Sequence, residues 1–476
     1  MFNTILKGSG VFFIFQMLDV GLRFFIQIFI AGKYGAESYG VFSTGNSFII
    51  TVATILAFGM NIGVLKNNSQ NILNDSNENN GLAVFSITVA GLVSLMYLLV
   101  TMVYPDLLHI LIDNEHFINK YVDYYKYGAI LFLLITILGA IARSNLNSFV
   151  YVMSKGVSYN TLFALCLVAS VYYSSSFEEI VILYLVCIGI STAFIFFLLR
   201  SVVFDGNKFN HKLDFIKFSG SFYFIEVFWL FRESIILLIV GNIYSMATVG
   251  VFAMASKIPS LLSLPSAALN ALFAPYASAC LNDNRINDLE ELYKKITFIS
   301  ISITVPFAVL IYLHSDVILR VIGDNYAAGS FIMRVYVVAK LIGLLAGPSG
   351  IIIQMSGRAG LETFNTVFMA SLIIVTNYFL FDVYGIEGIA IATAGSIAFI
   401  DLLRIVEVWI IHKFSPFSKN LVIVIAVSIV CLIPMYIMNS YSYNYIMNSI
   451  VYIVCYVLFV VTYFDIRKVY DELILG

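Results

Sequence analysis

Charged residues are scarce in this sequence. Only 11% of its 476 residues are Asp, Glu, Lys or Arg, whereas an average soluble protein carries about 25%. Hydrophobic residues make up 61% of the chain, and the mean hydropathy is +0.94. The net charge of −2 excludes a strongly basic nucleic-acid binder, so we expect no nucleic-acid partner. The composition instead indicates a membrane protein whose partner is the lipid bilayer.

Cysteines and catalytic motifs are equally sparse. The five cysteines show no CxxC spacing, which supports neither a disulfide framework nor a zinc site. The single Gly-Lys pair, Gly32–Lys33, has Gln27 and Tyr34 where a phosphate-binding loop requires Gly and Ser or Thr. The HExxH, DxD and GxSxG motifs do not occur. We therefore expect no catalytic residue, no metal and no cofactor, and we do not expect an enzyme.

Long apolar segments alternate with short polar breaks along the whole chain. The first of them, Val11–Ile30, is too long for a signal peptide, and we expect it to be retained as a helix. The pattern predicts an all-α polytopic membrane protein with about 14 transmembrane helices. The predicted spans are 11–31, 40–62, 81–104, 124–147, 157–173, 179–200, 218–241, 247–275, 296–314, 331–354, 363–382, 388–411, 420–439 and 444–464.

The basic residues indicate the orientation of these helices. With the N-terminus inside, 16 of the 26 Lys and Arg residues fall in inner segments and 3 in outer loops, and the other 7 lie within helices. Arg143 and Lys155 belong to the inner group. The positive-inside rule then predicts that both termini are cytoplasmic.

Short stretches of the sequence recur at an offset of about 210 residues, typical of an internal repeat. Arg23 and Gly32 correspond to Arg232 and Gly241, and YGVFSTGNS corresponds to VGVFAMASK. Two copies in one orientation make a parallel repeat of the kind that transporters use. We expect six-helix bundles at 1–205 and 206–414, followed by two further helices and a tail at 415–476.

Polar residues inside the first apolar run are unusual. Gln16, Asp19, Arg23 and Gln27 fall on one arc of a helix, roughly 80° wide at 100° per residue. Because a charge at that depth is costly, such residues usually face a bundle interior or a wet cavity. The arc therefore indicates a substrate-binding cavity. Alternatively, Asp19 and Arg23, four residues apart, form a self-neutralised pair that fixes helix packing.

Further charges lie in other predicted helices and come from both halves of the chain. Arg232, Lys257 and Lys340 are candidate cations for an anionic substrate, since Arg in particular suits phosphate oxygens. Asp19, Glu226 and Glu233 could bind H⁺ or Na⁺ for coupling, or could balance nearby cations.

A second pair of charges, in the twelfth predicted helix, has two readings. Asp401 and Arg404 are three residues apart, so a local structural ion pair is as reasonable for them as a site.

Several segments resemble a known family. They are YGAESYGVFSTGNSFIITVATILAFGMNIGV from Tyr34, VILRVIGDNYAAGSFIMRVYVVAKLIGLLAGPSGIIIQMSGRAG from Val317, and VYGIEGIAIATAGS from Val383. The chain resembles polysaccharide transporters of the MOP flippase superfamily (multidrug/oligosaccharidyl-lipid/polysaccharide exporters), specifically O-antigen flippases of the Wzx type. The resemblance implies a MATE-like fold and a bacterial inner-membrane location.

The resemblance also implies a substrate. Arg23, Arg232 and Lys257 would contact the pyrophosphate of an undecaprenyl-linked oligosaccharide, and a polysaccharide polymerase and a chain-length regulator would be candidate partners. The second predicted helix departs from the family pattern, because it contains no Lys or Arg. A multidrug/cation antiporter of the same superfamily is the alternative, and a membrane-embedded glycan polymerase is a weaker one. Seven intramembrane cations against five acids favour an anionic substrate.

Overall fold

The computed structural model describes residues 2–65, 79–145, 147–173, 175–203, 212–433 and 445–463. Every regular element in this part of the chain is helical, and no strand occurs in it. The prediction of an all-α protein is therefore confirmed. Because backbone groups in lipid must bond within their own segment, helices are what such an apolar sequence requires.

The first half of the chain forms ten helices in the described ranges. We number them α1 Phe2–Ala57, α2 Asn79–Val103, α3 Glu115–Lys120, α4 Val122–Ser144, α5 Ser148–Val152, α6 Ser158–Ser170, α7 Phe177–Leu198, α8 Arg200–Val203, α9 Lys212–Glu233 and α10 Ile235–Ile243. A π-helical turn, Met153–Val157, joins α5 to α6.

Nine helices follow in the second half, within the described ranges. They are α11 Met246–Lys257, α12 Leu264–Asn282, α13 Ile286–Leu313, α14 Ser315–Ile322, α15 Ser330–Ala346, α16 Ser349–Met355, α17 Ala359–His412, α18 Lys419–Val430 and α19 Tyr445–Tyr463. A 3₁₀ turn, Ile258–Ser263, lies between α11 and α12; Pro259 is its second residue, and Pro265 is the second residue of α12. The interruption lies where the two prolines remove backbone donors.

Two of the helices are long and bent. The backbone leaves helical geometry at Gly35 in α1 and at Gly385 in α17, with φ of 82° and 55°. In the described part of the chain, nine helices are long and apolar enough to cross a membrane. The protein is thus a multi-pass membrane protein. The described helices overlap every predicted span, but the count of 14 crossings stays a prediction.

The chain divides into two compact units, Met1–Met254 and Ala255–Gly476. This division differs from the boundary that the repeat predicts at 205/206. A repeat boundary marks where the second copy begins in the sequence, whereas a compact unit is defined by packing. The predicted bundles therefore remain a prediction about sequence repetition.

In the first unit, α1 and α11 cross at residues whose sequence separation equals the offset of the internal repeat. A Cβ atom added at Gly40 would lie 1.8 Å from the Met246 carbonyl oxygen, and one at Gly250 would lie 2.0 Å from that of Ala36. Both pairs of corresponding residues, 40 with 250 and 36 with 246, are 210 residues apart. Each glycine lets the two backbones approach closely, as small residues do at membrane helix interfaces.

The second unit has its own apolar core. Phe273 of α12, Tyr293 of α13 and Ile352 of α16 are fully buried in one cluster. A second cluster joins α13 to the C-terminal helices through Val424 and Tyr452. In this unit α18 and α19 therefore pack on α13.

Candidate functional site

The first compact unit encloses a polar cavity of about 570 Å³. Its walls come from α1 and the segment after it, from α4, α5, the π-helical turn, α6, α7 and α9. Its polar and aromatic lining consists of Arg23, Gln27, Phe42, Asn46, Asn61, Phe132, Thr136, Arg143, Tyr151, Ser154, Lys155, Tyr159, Asn160, Tyr184, Glu226 and Trp229. The lining thus holds three cations and one carboxylate. Such a volume suits a small ligand or the head group of a larger one.

Arg23 lies at the centre of a hydrogen-bonded cluster on one wall of the cavity. Its guanidinium is 2.6 Å from an Asp19 carboxylate oxygen and donates to the Lys155 carbonyl oxygen at 2.8 Å. Asn160 donates to the other Asp19 oxygen at 2.8 Å. The Arg23 side chain is 48% exposed, whereas that of Asp19 is only 9% exposed. The buried Asp19 carboxylate therefore holds the Arg23 guanidinium in place, while part of the guanidinium stays exposed to the cavity.

The cluster fits only because glycine occupies position 156. Gly156 has φ of +148° inside the π-helical turn. A Cβ there would lie 2.5 Å from an Asp19 carboxylate oxygen and 2.7 Å from the Arg23 guanidinium. Glycine accepts this backbone conformation without steric cost. The turn thereby presents the Lys155 carbonyl oxygen to α1, and the side chain of Lys155 lines the cavity.

Two further cations share one aromatic ring. The Arg143 guanidinium lies 5.3 Å from the centre of the Tyr151 ring, and the Lys155 ammonium lies 5.5 Å from it. Both distances are in the range of a cation–π interaction. Among the described residues neither cation forms an ion pair with a carboxylate. The ring therefore holds two cations at the cavity without neutralising either of them.

An amide and a carboxylic group meet elsewhere in the lining. The Nδ2 atom of Asn61 lies 2.6 Å from the Oε1 atom of Glu226. Lys155 is near enough to Glu226 to act on it electrostatically. Trp229, one helical turn further along α9, is 51% exposed and also lines the cavity. An exposed indole among amides is a surface on which a sugar ring can stack.

Neither Gln16 nor Arg232, two other predicted residues of the first unit, lines this cavity. Gln16 is exposed but outside the cavity, so only Arg23 and Gln27 of the predicted arc face it. Arg232 is half-buried near the end of α9 and has interactions of its own. The side chain of Glu233 lies outside the described residues. The proposed roles of these residues remain predictions.

Four predicted residues belong to the second unit. Lys257 and Lys340 are half-buried and have interaction partners. Arg404 donates to Glu362 at 3.1 Å and to Asp401 at 2.7 Å, and all three side chains are at most 15% exposed. This is the geometry of the structural ion-pair alternative. In the described part of the chain no group of three His, Cys, Asp or Glu residues could hold a metal ion.

The sequence did not identify Arg143 and Lys155 as site residues. Hydropathy assigns both to inner segments at the ends of helices, where basic residues are usual. The signal that could have singled them out is Tyr151, which is four residues before Lys155 and therefore adjacent to it on a helical turn. Asn61 was also missed as a partner for Glu226, because 165 residues separate them.

Residues 49–330, more than half of the chain, match the family model described as polysaccharide biosynthesis protein. The chain belongs to this family. A search of curated proteins found no match. Membership of the polysaccharide biosynthesis family agrees with the resemblance that the sequence motifs indicate, although it does not specify a substrate.

Solved structures show the fold of this polysaccharide biosynthesis protein. The lipid II flippase MurJ in an inward closed conformation has a TM-score of 0.74 at 16% identity, covering 96% of this chain and 99% of that one. An inward-facing multidrug resistance MATE transporter of the MOP superfamily scores 0.67 at 16% identity, with 82% and 94% covered. A MOP superfamily transporter from Pyrococcus furiosus scores 0.61 at 15% identity, with 86% and 95% covered. The protein therefore has the MOP transporter fold.

Proposed function

We propose that this protein is a flippase for undecaprenyl-pyrophosphate-linked oligosaccharide, the repeat unit of O-antigen or a similar surface polysaccharide. It would translocate the substrate across the bacterial inner membrane by alternating access, with both termini in the cytoplasm. The observation that carries the proposal is the cavity of the first unit, whose lining holds three cations and one carboxylate. Family membership and the likeness to a flippase support it.

The cavity offers two kinds of surface to such a substrate. Arg23, Arg143 and Lys155 would receive the pyrophosphate, because charge-assisted hydrogen bonds to phosphate oxygens are strong. Asn46 and Trp229 would face the first sugars, with the indole stacked on a ring and the amide bonded to hydroxyl groups. The positive lining lowers the cost of bringing an anionic head group into a medium of low dielectric constant.

The candidate cations predicted in other helices are part of this proposal. Arg232, Lys257 and Lys340 would contribute further positive charge during transport, when the substrate leaves the cavity of the first unit. Glu226, Glu233 and the Asp401–Arg404 pair would serve ion coupling or charge balance. A polysaccharide polymerase and a chain-length regulator would act on the translocated unit as partners.

The cation antiporter alternative is the second candidate, since MATE transporters share the fold. A site for organic cations should present carboxylates and aromatic rings. Here Glu226 is the single carboxylate in a lining that also holds three cations, and Asp19 is already paired with Arg23. This charge balance favours an anionic substrate. A glycan polymerase is less consistent with the fold of a transporter.

A gene deletion tests the proposal. Loss of the protein should remove surface polysaccharide and cause the lipid-linked repeat unit to accumulate on the cytoplasmic side. Complementation with the wild-type gene should restore export, and complementation with Arg23→Ala should not, although the variant still inserts in the membrane. Normal export in the deletion strain would refute the proposed function.

The matched control for Arg23→Ala is Arg200→Ala. Arg200 is also in the first unit and stacks on an aromatic ring, 4.3 Å from the centre of Phe197, but it does not line the cavity. Its variant should export normally. If both variants failed equally, the defect would lie in folding, and membrane abundance measured by immunoblotting would show it.

A further inference from the structure

The side chain of Asn46 reaches the polar cavity from α1 and is bonded there to a tyrosine of α7. The Tyr184 hydroxyl donates to the Asn46 Oδ1 atom at 3.1 Å. Tyr184 is buried, and among the described residues its hydroxyl bonds to Asn46 alone. Asn46 is half-buried and lines the cavity. A buried hydroxyl therefore holds an amide that faces the cavity.

Three aromatic rings fix the position of that hydroxyl. Tyr184 packs tilted against Phe163, with 4.9 Å between ring centres. It packs edge-on against Phe42 at 5.1 Å and against Tyr159 at 6.3 Å. These separations are in the range that aromatic pairs prefer. Phe42 is one turn before Asn46 on α1, so the ring and the amide share one face of that helix. The Tyr184 ring therefore has little freedom to follow a rotation of the amide.

The hydroxyl determines which way the Asn46 amide points. If the amide were reversed, its NH₂ group would donate to the Tyr184 oxygen, and the phenolic hydrogen would be buried without an acceptor. Leaving a buried donor unsatisfied is costly, which favours the orientation with Oδ1 on the hydroxyl. In the described part of the chain the Nδ2 atom of Asn46 has no partner. Both of its hydrogens are therefore available to a ligand.

The amide adds donors to a cavity that already carries positive charge. Arg23 lies near enough to Tyr184 to act on its hydroxyl electrostatically, and two further cations line the same cavity. Glu226, the one carboxylate in the lining, is bonded to Asn61. An NH₂ group binds a carbonyl, hydroxyl or carboxylate oxygen of a ligand, and it repels an ammonium group, as the cations do. A sugar with an acceptor oxygen fits this surface, and a sugar with a free amino group does not.

We propose that Asn46 is a specificity-determining residue and that Tyr184 is its positioning residue. The Asn46 amide binds an acceptor oxygen on the sugar next to the diphosphate, such as the carbonyl oxygen of an acetamido group. It excludes a sugar that carries a free amino group at that place. Tyr184 acts through Asn46, because its hydroxyl keeps the amide oxygen turned away from the ligand. The inference rests on the proposed function, since it requires a sugar phosphate in the cavity.

Calorimetry with the purified full-length protein at neutral pH tests the discrimination. The probes are N-acetylglucosamine 1-phosphate and glucosamine 1-phosphate, which share the phosphate and differ in an acetamido or an ammonium group. Wild type should bind the acetamido probe more tightly by about tenfold, because one hydrogen bond is gained and one charge repulsion is avoided. Asn46→Asp keeps the shape of the side chain and the bond from Tyr184, but turns a carboxylate oxygen towards the ligand. It should reverse the order of the two probes, and an unchanged order would overturn the role of Asn46.

The Tyr184→Phe variant tests positioning, because it removes the hydroxyl and keeps the ring packing. The released amide can turn either edge to the cavity, so the preference for the acetamido probe should fall towards equal binding. The Kd for inorganic pyrophosphate should stay that of wild type. A preference equal to wild type, with or without a lower unfolding temperature, would overturn the positioning role. Failure of wild type to bind pyrophosphate would instead refute the anionic cavity of the proposed function, and with it this inference.

A matched control is Tyr124→Phe. Tyr124 is another tyrosine of the first unit whose hydroxyl donates to a side chain, since it bonds to the Glu178 carboxylate at 2.7 Å. It does not line the cavity. Its variant should keep the wild-type preference between the two probes, and a loss equal to that in Tyr184→Phe would contradict the assignment.

Discussion

Neutralising Arg143 and Lys155 should weaken diphosphate binding without unfolding the protein. Both cations lie over the Tyr151 ring, at 5.3 and 5.5 Å from its centre, and in the described part of the chain neither side chain forms an ion pair with a carboxylate. Replacing each by Gln keeps the length and polarity of the side chain while removing its charge. The expected defect is therefore in ligand affinity and not in stability.

The size of the defect follows from the geometry of the cavity. A charge 4 Å from a phosphate oxygen contributes about 4 kcal/mol at an effective dielectric constant of about 20. Both side chains are exposed in the cavity, so water screens part of this interaction, and about 1.5–3 kcal/mol is expected for each charge-assisted bond. Since 1.4 kcal/mol corresponds to a factor of ten, each single variant should bind about 10- to 100-fold more weakly.

The assay is calorimetric titration of the detergent-purified protein with inorganic pyrophosphate. Arg143→Gln and Lys155→Gln should each raise the Kd, and the double variant should raise it further. Arg200→Gln, which removes a ring-stacked cation outside the cavity, should leave the Kd unchanged. Wild-type affinity in the double variant would refute the placement of the diphosphate.

Three further predictions concern the packing of each unit. Gly156→Ala should destabilise the protein by about 3 kcal/mol or more, because its Cβ would meet the Asp19 carboxylate and strain the turn; thermal unfolding measures this. Gly250→Ala should lower the unfolding temperature, because its Cβ would lie 2.0 Å from the Ala36 carbonyl oxygen. Arg404→Met should destabilise by about 3–5 kcal/mol, since it leaves two buried carboxylates unpaired, and a protease-susceptibility assay would detect the loss.

Each of these has a control. Gly21→Ala in α1 and Gly395→Ala in α17 add a Cβ in open space and should leave the unfolding temperature unchanged or raise it slightly. For Arg404, exchanging Lys294 for Met removes a partly exposed pair with Glu290 and should cost less than about 1 kcal/mol. If the controls were as damaging as the test variants, the packing arguments would be wrong.

The helical fold could be predicted from hydropathy alone. Apolar segments long enough to cross a bilayer have few alternatives to a helix, since lipid offers no partner to backbone groups. The bend at Gly35 lies in the polar break between the first two predicted spans, so the sequence indicates its position, but its angle could not be predicted because the angle depends on how the two helical segments pack. The division at Met254 was also not predictable, since it depends on packing and not on the repeat.

The candidate site was predictable only in part. The Asp19–Arg23 pair follows from their four-residue spacing, and the structure contains it. The partners that fix the pair do not follow, because Asn160 is 141 residues from Asp19 and the Lys155 carbonyl oxygen is a backbone group without a sequence signature. Long-range contacts between helices depend on how the helices cross, which local periodicity does not determine.

The same reason explains the second unit. Asp401 and Arg404 could be paired from their spacing, but Glu362, the other acid in the ion network, is 42 residues from Arg404. The sequence consequently left open whether the two residues form a site or a structural pair. The observed contacts satisfy Arg404 within its own unit, which favours structure, although the functional role of the pair stays a prediction.

Transport by the purified protein in liposomes tests the central claim most directly. Undecaprenyl-pyrophosphate-linked oligosaccharide would be placed in one leaflet, and its appearance in the other would be followed with an enzyme or lectin that cannot cross the bilayer. Wild type should speed translocation over protein-free liposomes, and the Arg143→Gln, Lys155→Gln double variant should be at least tenfold slower. No acceleration by wild type, together with proton-driven export of an organic cation, would contradict the flippase and identify an antiporter.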